Sequence, residues 1–158
     1  MGLFNFIKNY RERRYLIKYA SDNDPLFSLS GRKCWAKVVG CYDGDTCTIV
    51  IKLNNKRIKY KVRMEGYDTP EMRPPLSQEN RDSEIDAAKM AKSRFLELIG
   101  GTNSIIWIEC GNFDKYGRLL IYAYPTGKKT GPTINTIMVK EGHAYAYDGG
   151  TKLKFKKK

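Results

Sequence analysis

The sequence predicts a mainly β, α+β fold: a five-stranded Greek-key β-barrel of OB type with two packed helices and an added N-terminal helix. Three observations predict it. Five short strand-like runs lie between residues 34 and 125, a strong helical repeat separates the third run from the fourth, and a short capped helix follows the fifth. The resulting order, βββ-α-ββ-α, shows no internal repeat, and 158 residues suit one domain.

Residues 3–19 read as a basic helix, with Leu3, Phe6, Ile7 and Tyr10 on a stripe that Arg13 and Arg14 interrupt. Docking of this helix on the barrel is the expectation, with an acidic surface or partner as the alternative. Ser21-Asp22-Asn23-Asp24-Pro25 breaks the helix, so residues 1–31 form helix and linker. From Cys34 the period becomes two: Trp35, Lys37, Val39 and Cys41 alternate with Ala36, Val38 and Gly40. Both tryptophans, Trp35 and Trp107, are expected in the core. Asp43-Gly44 signals a turn, residues 46–53 are a β-branched run, and Asn54-Asn55 signals a tight hairpin. The third strand, 57–67, puts Ile58, Tyr60, Val62 and Met64 on one face and Lys59, Lys61, Arg63 and Glu65 on the other. Prolines at 70, 74 and 75 make a loop, after which Ile85, Ala88, Ala91, Phe95 and Ile99 repeat at helical spacing and stop at Gly100-Gly101. Residues 104–110 and 118–125 are the last two strands, and Thr133 caps a helix over 134–141. The lysine-rich end, 149–158, is expected to be disordered.

The net charge is +12, with 41% hydrophobic residues. Residues 1–20 hold five basic groups and one acid, and residues 149–158 hold five lysines, which leaves the body near +3. Charge alone is therefore a weak pointer to a polyanionic partner. No signal peptide or membrane-spanning run is recognised, and free thiols in an intracellular setting are the simpler expectation. Cys34, Cys41, Cys47 and Cys110 lack paired spacing and His143 is the only histidine, which argues against a Cys/His zinc site.

Three segments carry chemistry. Asp43-Gly44-Asp45-Thr46 lies in a turn, Arg63-Met64-Glu65-Gly66-Tyr67-Asp68-Thr69-Pro70-Glu71 closes a strand with two carboxylates, and Asp114-Lys115-Tyr116-Gly117-Arg118 precedes another strand. Each alone reads as a turn. Together they supply oxygen ligands for a hard cation and arginine forks suited to phosphate, the parts that phosphodiester hydrolysis needs.

In this order the segments resemble the staphylococcal-nuclease or thermonuclease family, over residues 33–148. The resemblance implies a Ca²⁺-dependent phosphodiesterase on an OB-fold barrel, an endonuclease cutting DNA and RNA on the 5′-oxygen side to leave 3′-phosphates. It implies that Asp45, Asp68 and the carbonyl of Thr69 hold Ca²⁺, with Asp43 behind them. It also implies that Glu71 orients or deprotonates water, that Arg63 and Arg118 bind the phosphate, and that Lys115 and Tyr116 contact a terminal phosphate. Tyr145 and Tyr147 match the pair on which bases or sugars rest. Nucleic acid, single-stranded DNA or RNA, is the expected partner, and a monomer the expected state.

The family's longer loop after the glutamate and its final helix are expected to have no counterpart here, and residues 3–19 are expected to cover the surface that helix would occupy. Two alternatives stand beside the nuclease: a non-catalytic OB-fold module for nucleic acid or peptide, and a membrane or partner adaptor acting through the basic tails.

Overall fold

A computed structural model describes residues 2–150. The chain runs α1 (Gly2–Tyr19), β1 (Lys33–Cys41), β2 (Thr46–Leu53), β3 (Lys56–Met64), β4 (Tyr67–Asp68), α2 (Arg81–Ile99), β5 (Ile105–Phe113), β6 (Leu119–Ala123), α3 (Ile134–Lys140) and β7 (Tyr145–Ala146). Five strands close a barrel in the order β1-β2-β3-β6-β5, with β5 returning to β1. All neighbours are antiparallel except β3 and β6.

The period-two pattern explains the closure. Val38, Ile49, Ile51, Val62, Ile106, Ile108, Leu119 and Ile121 all point inward and are buried. Each such side chain contributes about 1.5–3 kcal/mol of burial. Asn54 and Asn55 take positive φ, 47° and 61°, as a two-residue hairpin between β2 and β3 requires. The inward face of α2, with Ala88, Ala91, Phe95 and Ile99, covers one end of the core, and α2 stops at Gly100, φ +74°. Thr133 caps α3 by accepting from the Thr136 N–H. Buried Asn135 pins α3 to the barrel: its amide donates to the carbonyls of Glu65 and Ile121, and its oxygen accepts from the Ala123 N–H.

Three expectations need correction. The third strand ends at Met64 rather than Tyr67, because Gly66 at φ +81° turns the chain and Tyr67–Asp68 pairs with Tyr145–Ala146 instead. Trp35 and Trp107 do not enter the core. They pack edge to face on the outer surface, with the Lys129 ammonium 4.8 Å from each ring. The N-terminal helix forms but does not dock: every residue from Phe4 to Tyr19 is exposed, Phe4 and Phe6 among them. The expectation of a disordered lysine tail falls on 151–158, outside the described residues. No helix among the described residues is long and apolar enough to cross a membrane.

Candidate active site

Three turns and one short strand pair build the site at one end of the barrel. In the β1–β2 turn, Asp43 Oδ1 accepts the N–H groups of Asp45 and Thr46 at 3.0 and 2.7 Å, so its carboxylate shapes the turn. This aims Asp45 inward, where Thr46 Oγ1 donates to Asp45 Oδ1 at 2.7 Å. Arg63, opposite Thr46 in the β2–β3 ladder, reaches Asp45 Oδ2 at 2.5 Å and Asp68 Oδ1 at 2.7 Å. Its Nη2 also donates to the carbonyl of Tyr67. One guanidinium therefore draws together two carboxylates that are only 3% and 5% exposed.

The β4–β7 pair sets Tyr145 opposite Asp68. The Tyr145 hydroxyl lies 3.4 Å from Asp68 Oδ2 and 3.3 Å from the carbonyl oxygen of buried Thr69, so these two oxygens face a common point. Tyr67, fully buried, donates its hydroxyl to the Gly44 carbonyl at 2.7 Å and ties the Asp45 turn to the Asp68 turn.

Burial and the neighbouring Asp43 push the Asp45 carboxyl up to about 7, with Arg63 pulling the other way. Burial works against the charge of Arg63, but Asp45 and Asp68 outweigh it and hold the guanidinium ionised above its ordinary range. Two buried carboxylates, Asp45 and Asp68, share one guanidinium, and the Asp43 carboxylate adds its charge from behind Asp45. Such an excess favours a further cation. No group of three His, Cys, Asp or Glu side chains converges as a metal cluster among the described residues. The donor set of Asp45, Asp68 and the Thr69 carbonyl is all oxygen with two charges, and it fits a hard cation that completes its shell with water.

In the β5–β6 turn, Asp114 Oδ1 accepts the N–H groups of Tyr116 and Arg118, and Oδ2 accepts from Arg118 Nε at 2.7 Å. Burial raises the Asp114 carboxyl, but these bonds outweigh it and leave it below its ordinary value. Arg118 and Lys115 both lie over the exposed Tyr116 ring, at 5.4 and 5.2 Å, and Arg63 lies 5.7 Å from the Tyr147 ring. A cleft of about 1190 Å³ is lined by Asp43, Asp45, Arg63, Asp68, Thr69, Glu71, Lys115, Tyr116, Arg118 and Tyr147. Every residue singled out in the sequence thus lines one cleft except Tyr145, which reaches the site through its hydroxyl. His143 lies outside it, and the four cysteines are free.

Two contributors were not singled out. Tyr67 sits inside the motif, where its alternation marks it as buried but nothing marks its hydroxyl partner. Glu84, in the first turn of α2, is 4% exposed and accepts the N–H of Glu71 at 2.9 Å while Gln78 donates its amide to the other oxygen. In sequence it reads as an acidic residue favoured by the helix dipole.

A sequence model of the family described as Staphylococcal nuclease homologue matches residues 61–158. The chain belongs to this family. Similar curated proteins are the SPbeta prophage-derived endonuclease YokF of Bacillus subtilis (strain 168), 36% identical over 121 residues, and Endonuclease YncB of the same organism, 34% over 114. Micrococcal nuclease of Shigella flexneri is 31% identical over 116 residues. These matches cover 73%, 70% and 70% of this chain but 36%, 48% and 57% of the relatives, so this staphylococcal nuclease homologue spans from about a third to just over half of their length. The family match begins inside β3, and Asp43 and Asp45 lie ahead of it; the shared Arg63 ties Asp45 to Asp68.

Proposed function

We propose that this chain is a metal-dependent endonuclease that hydrolyses phosphodiester bonds of DNA and RNA, with residues 32–148 as its nuclease domain. The observation that carries this reading is the bridging of two buried carboxylates, Asp45 and Asp68, by Arg63 in a cleft that Arg118 and Glu71 also line. A purely structural ion pair has no need of a second arginine and an exposed glutamate across an open cleft. The endonuclease names of the similar proteins support the same reading.

Asp45, Asp68 and the Thr69 carbonyl would hold a divalent ion of the Ca²⁺ type. Its charge would offset the negative charge that a phosphate gains under attack. Asp43 keeps the turn beneath Asp45 in shape. Arg118, its Nε held by Asp114, presents its fork to a phosphate, and Arg63 is the group that turns from the carboxylates toward the same phosphate. Glu71, facing the cleft, holds the attacking water by accepting its proton. Lys115 and Tyr116 meet the next phosphate, while the Tyr147 ring, and Tyr145 beside it, offer a face to a base or sugar. Attack with departure of the 5′-oxygen leaves a 3′-phosphate. The exposed apolar side chains of α1 among its arginines and lysines support a separate acidic partner or surface for that helix.

The test is cleavage of single-stranded DNA and of RNA with Ca²⁺ or with chelator, followed by end-group analysis. The parent protein should cut only with the ion and leave 3′-phosphates. Arg118→Ala should lose on the order of 3 kcal/mol of barrier stabilisation, about a hundredfold in rate, and Glu71→Gln a similar factor. Absence of ion-dependent cleavage, with both variants like the parent, would leave a binding module.

A further inference from the structure

Strands β1, β2 and β3 together carry Lys33, Lys37, Lys52, Lys56, Arg57, Lys59, Lys61 and Arg63 and not one acidic residue. The body of the chain is near neutral overall, so its cations are segregated onto this side of the barrel. The period of a strand arranges them further. Arg57, Lys59, Lys61 and Arg63 fall on one face of β3, about 7 Å apart, and form a row about 20 Å long. The first three are exposed, and the last is the arginine of the cleft. Beside this row β2 places Arg63 opposite Thr46, Lys61 opposite Thr48, Lys59 opposite Val50 and Arg57 opposite Lys52, so the neighbouring side chains are short except for one more cation.

Lys37, Lys52, Arg57, Lys59 and Lys61 form no ion pair among the described residues, whereas Lys33 is paired with Glu109. Lys52 and Arg57 stand directly opposite each other, and like charges in that position destabilise a sheet. The arrangement weakens the free protein and favours a polyanion that lies along the row.

We infer that the outer face of β3 is a second nucleic-acid site, on which Arg57, Lys59 and Lys61 hold the phosphates of a single strand that continues out of the cleft past Arg63. This rests on the nuclease reading for the direction of the strand. The row leads away from the scissile position on the side of Arg63, so substrate length, and not base identity, is what it recognises. Phosphate contacts of this kind add affinity without sequence preference.

The experiment compares the full chain with the triple variant Arg57→Gln/Lys59→Gln/Lys61→Gln. Anisotropy binding of a long single-stranded DNA in chelator should weaken by about tenfold or more, and the slope of log affinity against log salt should flatten by about two, for three lost contacts. With Ca²⁺, KM for the long strand should rise by a similar factor at unchanged kcat, while a dinucleotide substrate is cut as by the parent. Melting should not fall, because the variant relieves repulsion. Unchanged affinity and slope would overturn the site. So would an equal effect from Lys8→Gln/Arg11→Gln/Arg14→Gln in α1, which would make the effect one of net charge, or a loss confined to vesicles of acidic lipid. If the parent cuts nothing, the nuclease reading fails by itself, and the binding measurement in chelator still decides the row.

Discussion

Arg63 carries three interactions that no other residue type could combine. Its planar fork meets Asp45 with one terminal nitrogen and Asp68 with the other, and its face lies near Tyr147. A lysine offers one point of charge and would release one carboxylate. Glu84 works at one remove. Its buried carboxylate fixes the backbone N–H of Glu71, and Pro70 stiffens the step before it. Removing that acceptor should let Glu71 wander from the place where the proposed mechanism needs it, and a displacement of about 1 Å can cost about a hundredfold in rate. Glu84→Ala should therefore lower kcat by about tenfold to a hundredfold with KM within about twofold, and destabilise the fold by about 2 kcal/mol. Glu84→Gln keeps an oxygen for the Glu71 N–H and should restore most of kcat. Steady-state kinetics beside thermal melts decide it: lost stability with kcat intact would reduce Glu84 to a structural residue.

The turns of the site depend on α2 as their floor. A Cβ on Gly44 would stand 3.0 Å from Thr69 Cγ2 and 3.1 Å from Ala91 Cβ, so only glycine lets the Asp45 turn, the Thr69 turn and α2 meet. Gly44→Ala should cost about 1–3 kcal/mol of stability by overpacking and weaken Ca²⁺ binding, because the turn that carries Asp45 must lift. Calorimetric titration of Ca²⁺ with a melt measures both, and parent-like affinity would show that the two turns move independently. The strands around this floor were legible in sequence because their alternation is long: Ile58, Tyr60, Val62 and Met64 share the inner side of β3, as the pattern predicts. The cleft residues were legible because their motifs sit at strand ends, which the barrel gathers. The β4–β7 pair was not, since two residues are too few to show a period and Asp68 and Tyr145 are 77 positions apart in the chain. The outer position of Trp35 follows from its sharing a face with Lys37, a signal that the bulk of an indole obscures.

Across the whole molecule, charge and apolar surface are divided among parts. The cleft holds the buried acids Asp45 and Asp68, the outer face of β3 the cations Arg57, Lys59 and Lys61, which form no ion pair among the described residues, and α1 a set of exposed apolar side chains among basic ones, with Phe4, Phe6, Leu16 and Ile17 all more than half exposed. An isolated helix of 18 residues is marginal in water, and the side chains of α1 from Phe4 to Tyr19 are all exposed rather than packed on the barrel. Its removal should therefore leave the barrel intact. A chain lacking residues 1–20 should melt within about 1 °C of the parent, since no core contact is lost. It should also cut a dinucleotide at the parent rate, and bind vesicles of acidic lipid far more weakly, because about one kcal/mol per basic side chain near such a surface is withdrawn together with the apolar stripe. The melt and the vesicle sedimentation separate two roles for this helix. A drop of several degrees with vesicle binding unchanged would mean that α1 packs on the barrel in solution after all, as a cover for its exposed side. A steady melt with lost vesicle binding would assign α1 to an acidic surface and leave the chemistry wholly to the barrel.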